Sequence, residues 1–238
     1  VAALLGMSAG LAARPKEQPT GSAQASTPAA AVAARILPRP QHLETTGVTV
    51  TLGAEWRIAL DAGDPAFAFA GTWFNSHITA TVPITLPVVD GHSDVPAPRR
   101  IVVGDPARHG FVRAALERSS RTLPTAIGDE GYVLEVRGPD DPEVVIAANT
   151  PAGVFYGVVT LLQLVGPDGS VPGVFIVDYP EHAVRGTYEP DSIVNGWQGG
   201  RNVFTDRQRA YIDWLAARKL NTVFLVDNGD FFADESTW

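Results

Sequence analysis

The sequence predicts an α/β protein, in which a domain of mixed sheet and helices is followed by one strand–helix–strand unit. Strand-like alternation of apolar and polar residues recurs at 47–52, 55–61 and 130–138. A helix that is apolar on almost all sides is predicted at 150–165. The segment 204–228 reads as a helix, a "KLN" turn and an apolar strand, and "AVRGTYE" before it supplies the first strand of a parallel unit.

The composition limits the classes of function. Hydrophobic residues make up 45% of the chain and charged residues 18%, which indicates a folded globular protein. The net charge of -8 and the lack of a basic cluster argue against nucleic acid as a partner. There is no cysteine, so disulfides and thiolate metal sites are excluded. The five histidines are scattered singly, which predicts surface or loop positions, no metal site and no cofactor.

The first 35 residues differ in composition from the rest. The run "VAALLGMSAGLAA" is too short to span a bilayer but is typical of the apolar core of an export signal. The segment "RPKEQPTGSAQASTPAAAVAA" after it has the composition of a linker. We therefore expect residues 1–35 to be a signal remnant and linker and the protein to be secreted, with no membrane span. The alternative is a buried N-terminal helix.

The rest of the predicted domain follows from shorter signals. Strands are expected at 84–89 and 100–105, a helix at 65–80 and a surface helix at 106–120. The turn "PDD" makes 143–149 the hairpin partner of 130–138, whose strict alternation predicts one buried face. After "GPDGS" the chain returns as a further strand, "VPGVFIVDYP".

The apolar helix needs cover on most of its surface, because only Thr150, Thr160 and Gln163 offer polar side chains. Thr150 with the proline after it predicts an N-cap, and a glycine at 166 predicts the stop. Gly153 and Gly157 share one face, where a neighbouring backbone is able to come close. We place the helix between the sheet and a second domain; the alternative is that its glycine face binds a ligand.

Four segments in this order resemble the N-terminal domain of family 20 glycoside hydrolases, the β-N-acetylhexosaminidases. They are "LPRPQHLE", "EGYVLEV", "IAANTPAGVFYGVVTLLQLV" and "DYPEHAVRG". The resemblance covers residues 36 to 238. Family 84 enzymes carry a similar domain, and "RGTYE" is closer to their pattern, whereas "LMLDVSRHF" and "HWHLTDDQ", usual in family 20, are absent here. Both families therefore stay open.

The resemblance implies an auxiliary domain at 36–178 and the start of a catalytic (β/α)8 barrel at 179–238. Since such a barrel needs about 250 residues, the barrel would be incomplete. The implied activity is removal of terminal N-acetylhexosamine from glycans, with the sugar's own acetamido oxygen as nucleophile and a carboxylic acid as proton donor. That catalytic acid is expected beyond Trp238. The alternative is a non-catalytic carbohydrate-binding or scaffolding protein.

Arg185 is the residue to which the resemblance assigns the clearest role, gripping hydroxyls at the non-reducing end of the sugar. A planar guanidinium suits paired hydroxyl acceptors better than an ammonium group. The alternative role is a structural ion pair with Asp178 or Glu181.

Two further carboxylates, Glu189 and Asp230, fall near the expected ends of the first two barrel strands, where barrel active sites form. They are predicted to contact the substrate, with ordinary loop carboxylates as the alternative. Asp234 and Glu235 are adjacent, as a catalytic acid and its partner would be, and are the weaker candidate against a solvated loop.

Overall fold

The computed structural model describes residues 28–93, 99–138, 140, 142–189 and 206–225. Its helices are α1 (Pro28–Ala33), α2 (Pro65–Ile78), α3 (Gly110–Arg118), α4 (Pro151–Leu164) and α5 (Asp206–Ala216), with a 3-10 turn at Thr125–Ile127. Its strands are β1 (His42–Thr51), β2 (Arg57–Leu60), β3 (Val88–Asp90), β4 (Arg100–Gly104), β5 (Tyr132–Val136), β6 (Glu143–Ala148), β7 (Ser170–Asp178), β8 (Gly186–Glu189) and β9 (Thr222–Leu225).

The first seven strands form one mixed sheet in the order β1-β7-β5-β6-β4-β2-β3. Strands β3, β2, β4 and β6 are parallel neighbours, whereas β5 pairs antiparallel with both β6 and β7, and β1 pairs antiparallel with β7. The predicted mixed sheet and the hairpin of β5 with β6 are confirmed. In the parallel half, helix α2 returns the chain between the parallel neighbours β2 and β3.

Both faces of the sheet are covered at its centre. Helices α2 and α4 cover the inner face, and α3 covers part of the outer face. Every residue of β5 and β6 is therefore buried, including Glu135 and Glu143. The prediction of a single buried face for 130–138 was wrong, because Glu135 of β5 is buried where it accepts a hydrogen bond from Ser119 at the end of α3.

Helix α4 shows how a nearly apolar helix satisfies its polar side chains. The Thr150 Oγ1 accepts a hydrogen bond from the backbone N–H of Gly153 at 3.3 Å, as the predicted N-cap requires. Gln163 donates to the carbonyl oxygens of Leu37 at 2.9 Å and Ala217 at 3.1 Å. The helix ends at Leu164, two residues before Gly166. The left-handed residue of the following turn is Gly169, with a φ of 78°, and not Gly166.

The two glycines of α4 face β5 and β6 directly. A Cβ atom on Gly153 would overlap the backbone oxygen of Gly131, and one on Gly157 would overlap the Ile146 side chain. The predicted close approach is confirmed. The other side of α4 packs on α2 of the same domain, with the Trp73 and Phe155 rings 4.8 Å apart. The expected second domain touches α4 through Gln163, near the end of the helix, and through Arg185, whose guanidinium lies over the Tyr156 ring.

Three local predictions differ from the structure. Within 84–89 only Val88 and the next residue are in a strand, because the Asn75 side chain bonds both the N–H and the carbonyl of Leu86 at 2.8 Å. His109 is buried, not exposed, and its Nδ1 accepts from the Asp105 N–H at 3.0 Å. Helix α1 lies in the segment predicted as linker.

The last described elements form the expected strand–helix–strand unit. Strands β8 and β9 are parallel, with Gly186 opposite Thr222, and α5 joins them. Helix α5 begins at Asp206, and the residue before it lies outside the described residues. In the described parts of the chain, no helix combines the length and apolar character that crossing a membrane requires.

Replacing Gly157 with leucine tests the tight contact between α4 and the sheet. The added side chain has no space against Ile146 and Tyr132, so Gly157→Leu should lower the free energy of unfolding by about 1 to 3 kcal/mol or more. Urea denaturation followed by circular dichroism measures the change. Ala152→Leu, on an exposed position of the same helix, is the control and should stay within about 0.5 kcal/mol of wild type. Equal stabilities for the two variants would contradict the packing.

Candidate functional site at the domain junction

Arg185 lies just before β8 and turns its side chain toward the sheet domain. Its Nη1 donates to Glu130 Oε2 at 2.7 Å and to the carbonyl of His182 at 2.8 Å, and its Nε donates to the carbonyl of Lys219 at 2.9 Å. The guanidinium carbon lies 5.5 Å from the centre of the Tyr156 ring. Arg185 therefore forms an ion pair with Glu130 and not with either carboxylate named in the alternative prediction.

A second cation, Lys219, is buried at the same junction. Its Nζ donates to Asp178 Oδ2 at 2.8 Å and to the Tyr132 hydroxyl oxygen at 2.7 Å. The Tyr132 hydroxyl donates to the same Asp178 oxygen at 2.8 Å, which leaves the Thr160 hydroxyl as the donor to Tyr132. Burial lowers the pKa of Lys219 and the charge of Asp178 opposes this, while burial raises the pKa of Tyr132 well above its ordinary value.

The backbone at Lys219 supports a positioning role for its side chain. Its φ of 58° lies in the left-handed region, which a lysine adopts at a cost of roughly 1 to 2 kcal/mol. This conformation ends α5 and directs the ammonium group inward, where only 4% of the residue is exposed. The buried hydrogen bonds to Asp178 and Tyr132 offset that cost.

Asn221 joins the two cation sites. Its Nδ2 donates to Glu130 Oε1 at 3.0 Å and to the carbonyl of Ala183 at 2.7 Å, and its Oδ1 accepts from the Arg185 N–H at 2.9 Å. We call Glu130, Tyr132, Asp178, Arg185, Lys219 and Asn221 the junction network. The network links β5 and β7 of the sheet to the residues just before β8 and just before β9.

A cavity of about 270 Å³ opens beside the junction network, lined also by Gln41, Tyr156, Tyr179 and His182. Glu130 and Asp178 each accept hydrogen bonds from a cation. This pairing holds the groups against one another and does not aim an acid at an open reacting atom. Among the described residues, no group of three or more histidine, aspartate or glutamate side chains is arranged to hold a metal ion.

The structure does not bring the predicted site residues together. Glu189 is the last residue of β8 and pairs with Leu225, whereas Arg185 precedes the first residue of β8. Four residues of strand separate their Cα atoms by about 13 Å. Asp230 lies outside the described residues, as do the adjacent pair Asp234 and Glu235.

The sequence patterns assign most members of the junction network to a turn or a strand and give them no functional role. Lys219 and Asn221 were part of a turn, and Glu130 and Tyr132 were part of a strand. The available signals were a lone threonine, Thr160, in an apolar helix and a lysine between two apolar elements. A buried polar group requires a partner, but the sequence does not say which one.

A family model identifies the domain that contributes Glu130, Tyr132 and Asp178 to this network. Glycosyl hydrolase family 20, domain 2, matches residues 33–179, from the end of α1 to just past β7. The chain belongs to glycosyl hydrolase family 20. Of the two families left open by the motifs, family 20 is the one that the model match shows. The segments that carried the resemblance supply four members of the junction network: Glu130, Tyr132, Asp178 and Arg185.

Solved structures show the same fold. The N-acetyl-β-hexosaminidase of Streptomyces plicatus is 25% identical, with a TM-score of 0.59 over 84% of this chain and 34% of that protein. The family 20 β-N-acetylhexosaminidase of Streptomyces coelicolor A3(2) is also 25% identical, with a TM-score of 0.57 over 80% of this chain and 34% of that one. CpGH84B is 20% identical, with a TM-score of 0.57 over 82% and 30%, and this likeness concerns the fold alone.

The chain spans about a third of the length of the two Streptomyces proteins. A mutant of the S. plicatus enzyme has been solved with its product, GlcNAc. The family match covers the sheet domain, and β8, α5 and β9 follow it.

Removing the Lys219 charge tests the junction network. Lys219→Met leaves Asp178 buried without its cation, which should cost about 3 to 5 kcal/mol of unfolding free energy. The control is Arg218→Met, which removes a neighbouring cation whose guanidinium lies over Trp214 and should cost about 1 kcal/mol or less. Urea unfolding of both variants measures the difference. A loss in Lys219→Met no larger than in the control would show that the pair does not hold the junction.

Proposed function

We propose that the protein is a secreted glycoside hydrolase that removes terminal N-acetylhexosamine from glycans. The observation that carries the proposal is the family 20 match over 33–179 together with the junction network that ties this domain to a strand–helix–strand unit. The related S. plicatus enzyme, with GlcNAc as its product, supports the choice of sugar. The substrate class is thus an N-acetylhexosamine-containing glycan.

In this proposal, β8, α5 and β9 are the first unit of a (β/α)8 barrel. Their parallel pairing and the helix between them are the pattern that such a barrel repeats. Several large apolar side chains of the unit are exposed, namely Ile212, Trp214 and Phe224. Exposed apolar surface of this kind favours a further packing partner, which later barrel units would supply.

The proposed mechanism is substrate-assisted. The acetamido oxygen of the sugar attacks its own anomeric carbon, and a carboxylic acid beyond Trp238 protonates the leaving oxygen. Glu189 ends β8, so it lies at the carboxyl end of the first barrel strand, where such sites form, and Asp230 follows β9 in sequence. We propose both as substrate-binding residues. Arg185 is proposed as the clamp for sugar hydroxyls, held in place by Glu130.

Activity should require more than these 238 residues. One strand–helix–strand unit does not close a barrel, so the purified 238-residue chain should not hydrolyse an aryl N-acetyl-β-glucosaminide. The same assay on the product of the whole reading frame should show turnover. Turnover by the 238-residue chain would refute the proposed location of the acid, and an inactive but folded whole protein would refute the hydrolase proposal.

Arg185→Lys in the whole protein tests the clamp. Lysine keeps the charge but loses the paired donors, so kcat/KM should fall roughly ten- to a hundredfold, while the melting temperature should fall no further than in Glu130→Gln. Glu130→Gln is the matched control, because it weakens the Arg185 ion pair and leaves the guanidinium present. If Arg185 served only the junction, both variants would lower the melting temperature and leave kcat/KM near wild type, which would exclude the clamp.

A further inference from the structure

The cavity beside the junction network has walls from separate parts of the chain, and we call it the junction cavity. Pro38 and Arg39 line it from the segment before β1, Tyr156 lines it from α4, and Lys219 lines it from the turn after α5. Every lining residue belongs to the described part of the chain. Pockets for drug-sized ligands have volumes of about 300 to 1,000 Å³. At about 270 Å³, the junction cavity therefore suits a ligand of one ring and not a chain of rings.

Two tyrosine rings give the junction cavity apolar surface. Tyr156 lies on α4, and its ring centre is 5.5 Å from the guanidinium carbon of Arg185. Tyr179 directly follows β7 and is 42% exposed, so its ring is accessible to a ligand. A tyrosine ring combines a broad apolar face with a polar hydroxyl at its edge. A sugar ring has the same two kinds of surface, because C–H bonds project from its faces and hydroxyls from its edge.

The charges that line the junction cavity are balanced when His182 is neutral. The carboxylates are Glu130, Asp178 and Glu181, and the cations are Arg39, Arg185 and Lys219. Four of these groups already form pairs, since Arg185 lies 2.7 Å from Glu130 and Lys219 lies 2.8 Å from Asp178. A charged ligand would therefore meet like and opposite charges in equal number and would lose hydration without a net attraction. A neutral polar ligand avoids that cost.

Several polar side chains of the junction cavity are available to a ligand. Within the described part of the chain, the side chains of Arg39, Tyr179 and His182 form no hydrogen bond. The Gln41 amide donates to the Tyr179 carbonyl oxygen at 3.3 Å and to Glu181 Oε1 at 3.5 Å, which holds the segment after β7 in place. A guanidinium donates hydrogen bonds, whereas a phenol and a neutral imidazole both donate and accept them. This set matches sugar hydroxyls, which both donate and accept.

We propose that the junction cavity binds one neutral sugar ring, with its apolar face against Tyr179 and its hydroxyls toward Arg39 and His182. The inference deepens the clamp role proposed for Arg185 and rests on it, because this side chain lines the same cavity. It adds two features that the clamp alone does not require. The volume limits the ligand to one ring, and the charge balance disfavours a charged ring.

Calorimetric titration of the 238-residue chain at pH 7 tests the charge preference with four monosaccharides. N-acetylglucosamine and glucose are neutral, glucuronic acid carries a negative charge, and glucosamine carries a positive charge. We expect at least one neutral sugar to bind with a Kd of about 5 mM or tighter, and both charged sugars to bind at least about fivefold more weakly. No binding of either neutral sugar, or equal binding of a charged one, would overturn the proposal.

The limit of one ring is tested by titration with N,N′-diacetylchitobiose. If one ring fills the junction cavity, the disaccharide should bind no more tightly than N-acetylglucosamine. A disaccharide affinity about fivefold or more above that of the monosaccharide would show that the site extends over a second ring and would overturn the limit.

Tyr179→Ala locates the binding in the junction cavity. The substitution removes an exposed ring of the lining and keeps the backbone carbonyl that Gln41 contacts, so binding of the neutral sugar should weaken about fivefold or more. Phe69→Ala is the matched control, because Phe69 is an aromatic residue with 55% exposure on α2 and lies outside the cavity lining. It should bind the sugar like wild type. Equal losses in the two variants would place the binding elsewhere and overturn the proposal.

Arg39→Glu gives a gain of binding that misfolding does not imitate. Carboxylates then outnumber cations in the lining, so glucosamine should bind about threefold or more tightly than it binds the wild type. Arg113→Glu, on α3 and outside the lining, changes the net charge equally and should leave glucosamine binding unchanged. An equal gain in both variants would mean attraction to the whole surface and would overturn the charge-balanced site.

The outcomes for binding and for hydrolysis are distinguishable. The titrations use the chain that is expected not to hydrolyse glycosides, so they measure binding without turnover. An active whole protein whose 238-residue part binds no neutral sugar would refute the junction cavity as a sugar site and leave the hydrolase proposal intact. Sugar binding together with an inactive but folded whole protein would refute the hydrolase proposal and support the junction cavity as a sugar site.

Discussion

The buried contact of Lys219 with Asp178 and Tyr132 sets where the chain lies after it leaves the sheet. A buried ion pair adds little net stability compared with apolar residues of the same volume, but it is strongly position-specific. The buried charge of Lys219 is tolerated only where its partner, Asp178 at the end of β7, is present. The strand–helix–strand unit therefore has one favourable position, with the end of α5 over the carboxyl end of β7. Arg185 and Asn221 reinforce that position from the other side through Glu130.

Helix α4 makes this arrangement possible. Its glycine face lets it approach β5 and β6 closely enough for the Thr160 hydroxyl to reach Tyr132. Tyr132 then presents its hydroxyl to both Asp178 and Lys219. The close packing of an apolar helix and the orientation of a polar network are thus two results of the same contact. A bulkier residue at either glycine would move the helix away from the sheet and Thr160 away from its partner.

The two ends of strand β8 have different surroundings. Arg185 precedes the strand and is engaged with the sheet domain, while Glu189 ends the strand at the edge where barrel sites form. The contacts with the sheet domain are therefore made just before the first residue of β8, about four residues away from Glu189. The clamp role proposed for Arg185 requires that its guanidinium serve Glu130 and a sugar hydroxyl together, which a group with five N–H donors allows.

Local sequence patterns predicted most of the helices and strands in their order, because each pattern depends on residues that are close together in the chain. The strand pattern at β5, the turn before β6, the Thr150 cap and the apolar run of α4 predicted a hairpin in a mixed sheet and a covered helix, and the structure confirms the hairpin, the cap and the cover. The sequence motifs predicted family 20 or family 84, and the family model shows family 20. Predicted boundaries were wrong where a side chain from another element bonded the backbone, as Asn75 bonds Leu86, so that the strand predicted from 84 begins only at Val88.

What only the tertiary structure decided is which polar residues meet. Lys219 and Tyr132 are 87 residues apart, Asn221 and Glu130 are 91 apart, and Arg185 and Glu130 are 55 apart. No pattern within a segment predicts these pairs, since each depends on where sheet order and helix packing place two distant segments. The same reason explains why an alternating strand became buried on both faces and why His109 became buried. The sequence by itself determined the elements and the family; the order of strands in the sheet decided the partners, because burial and pairing are properties of the packed layers and not of any one segment.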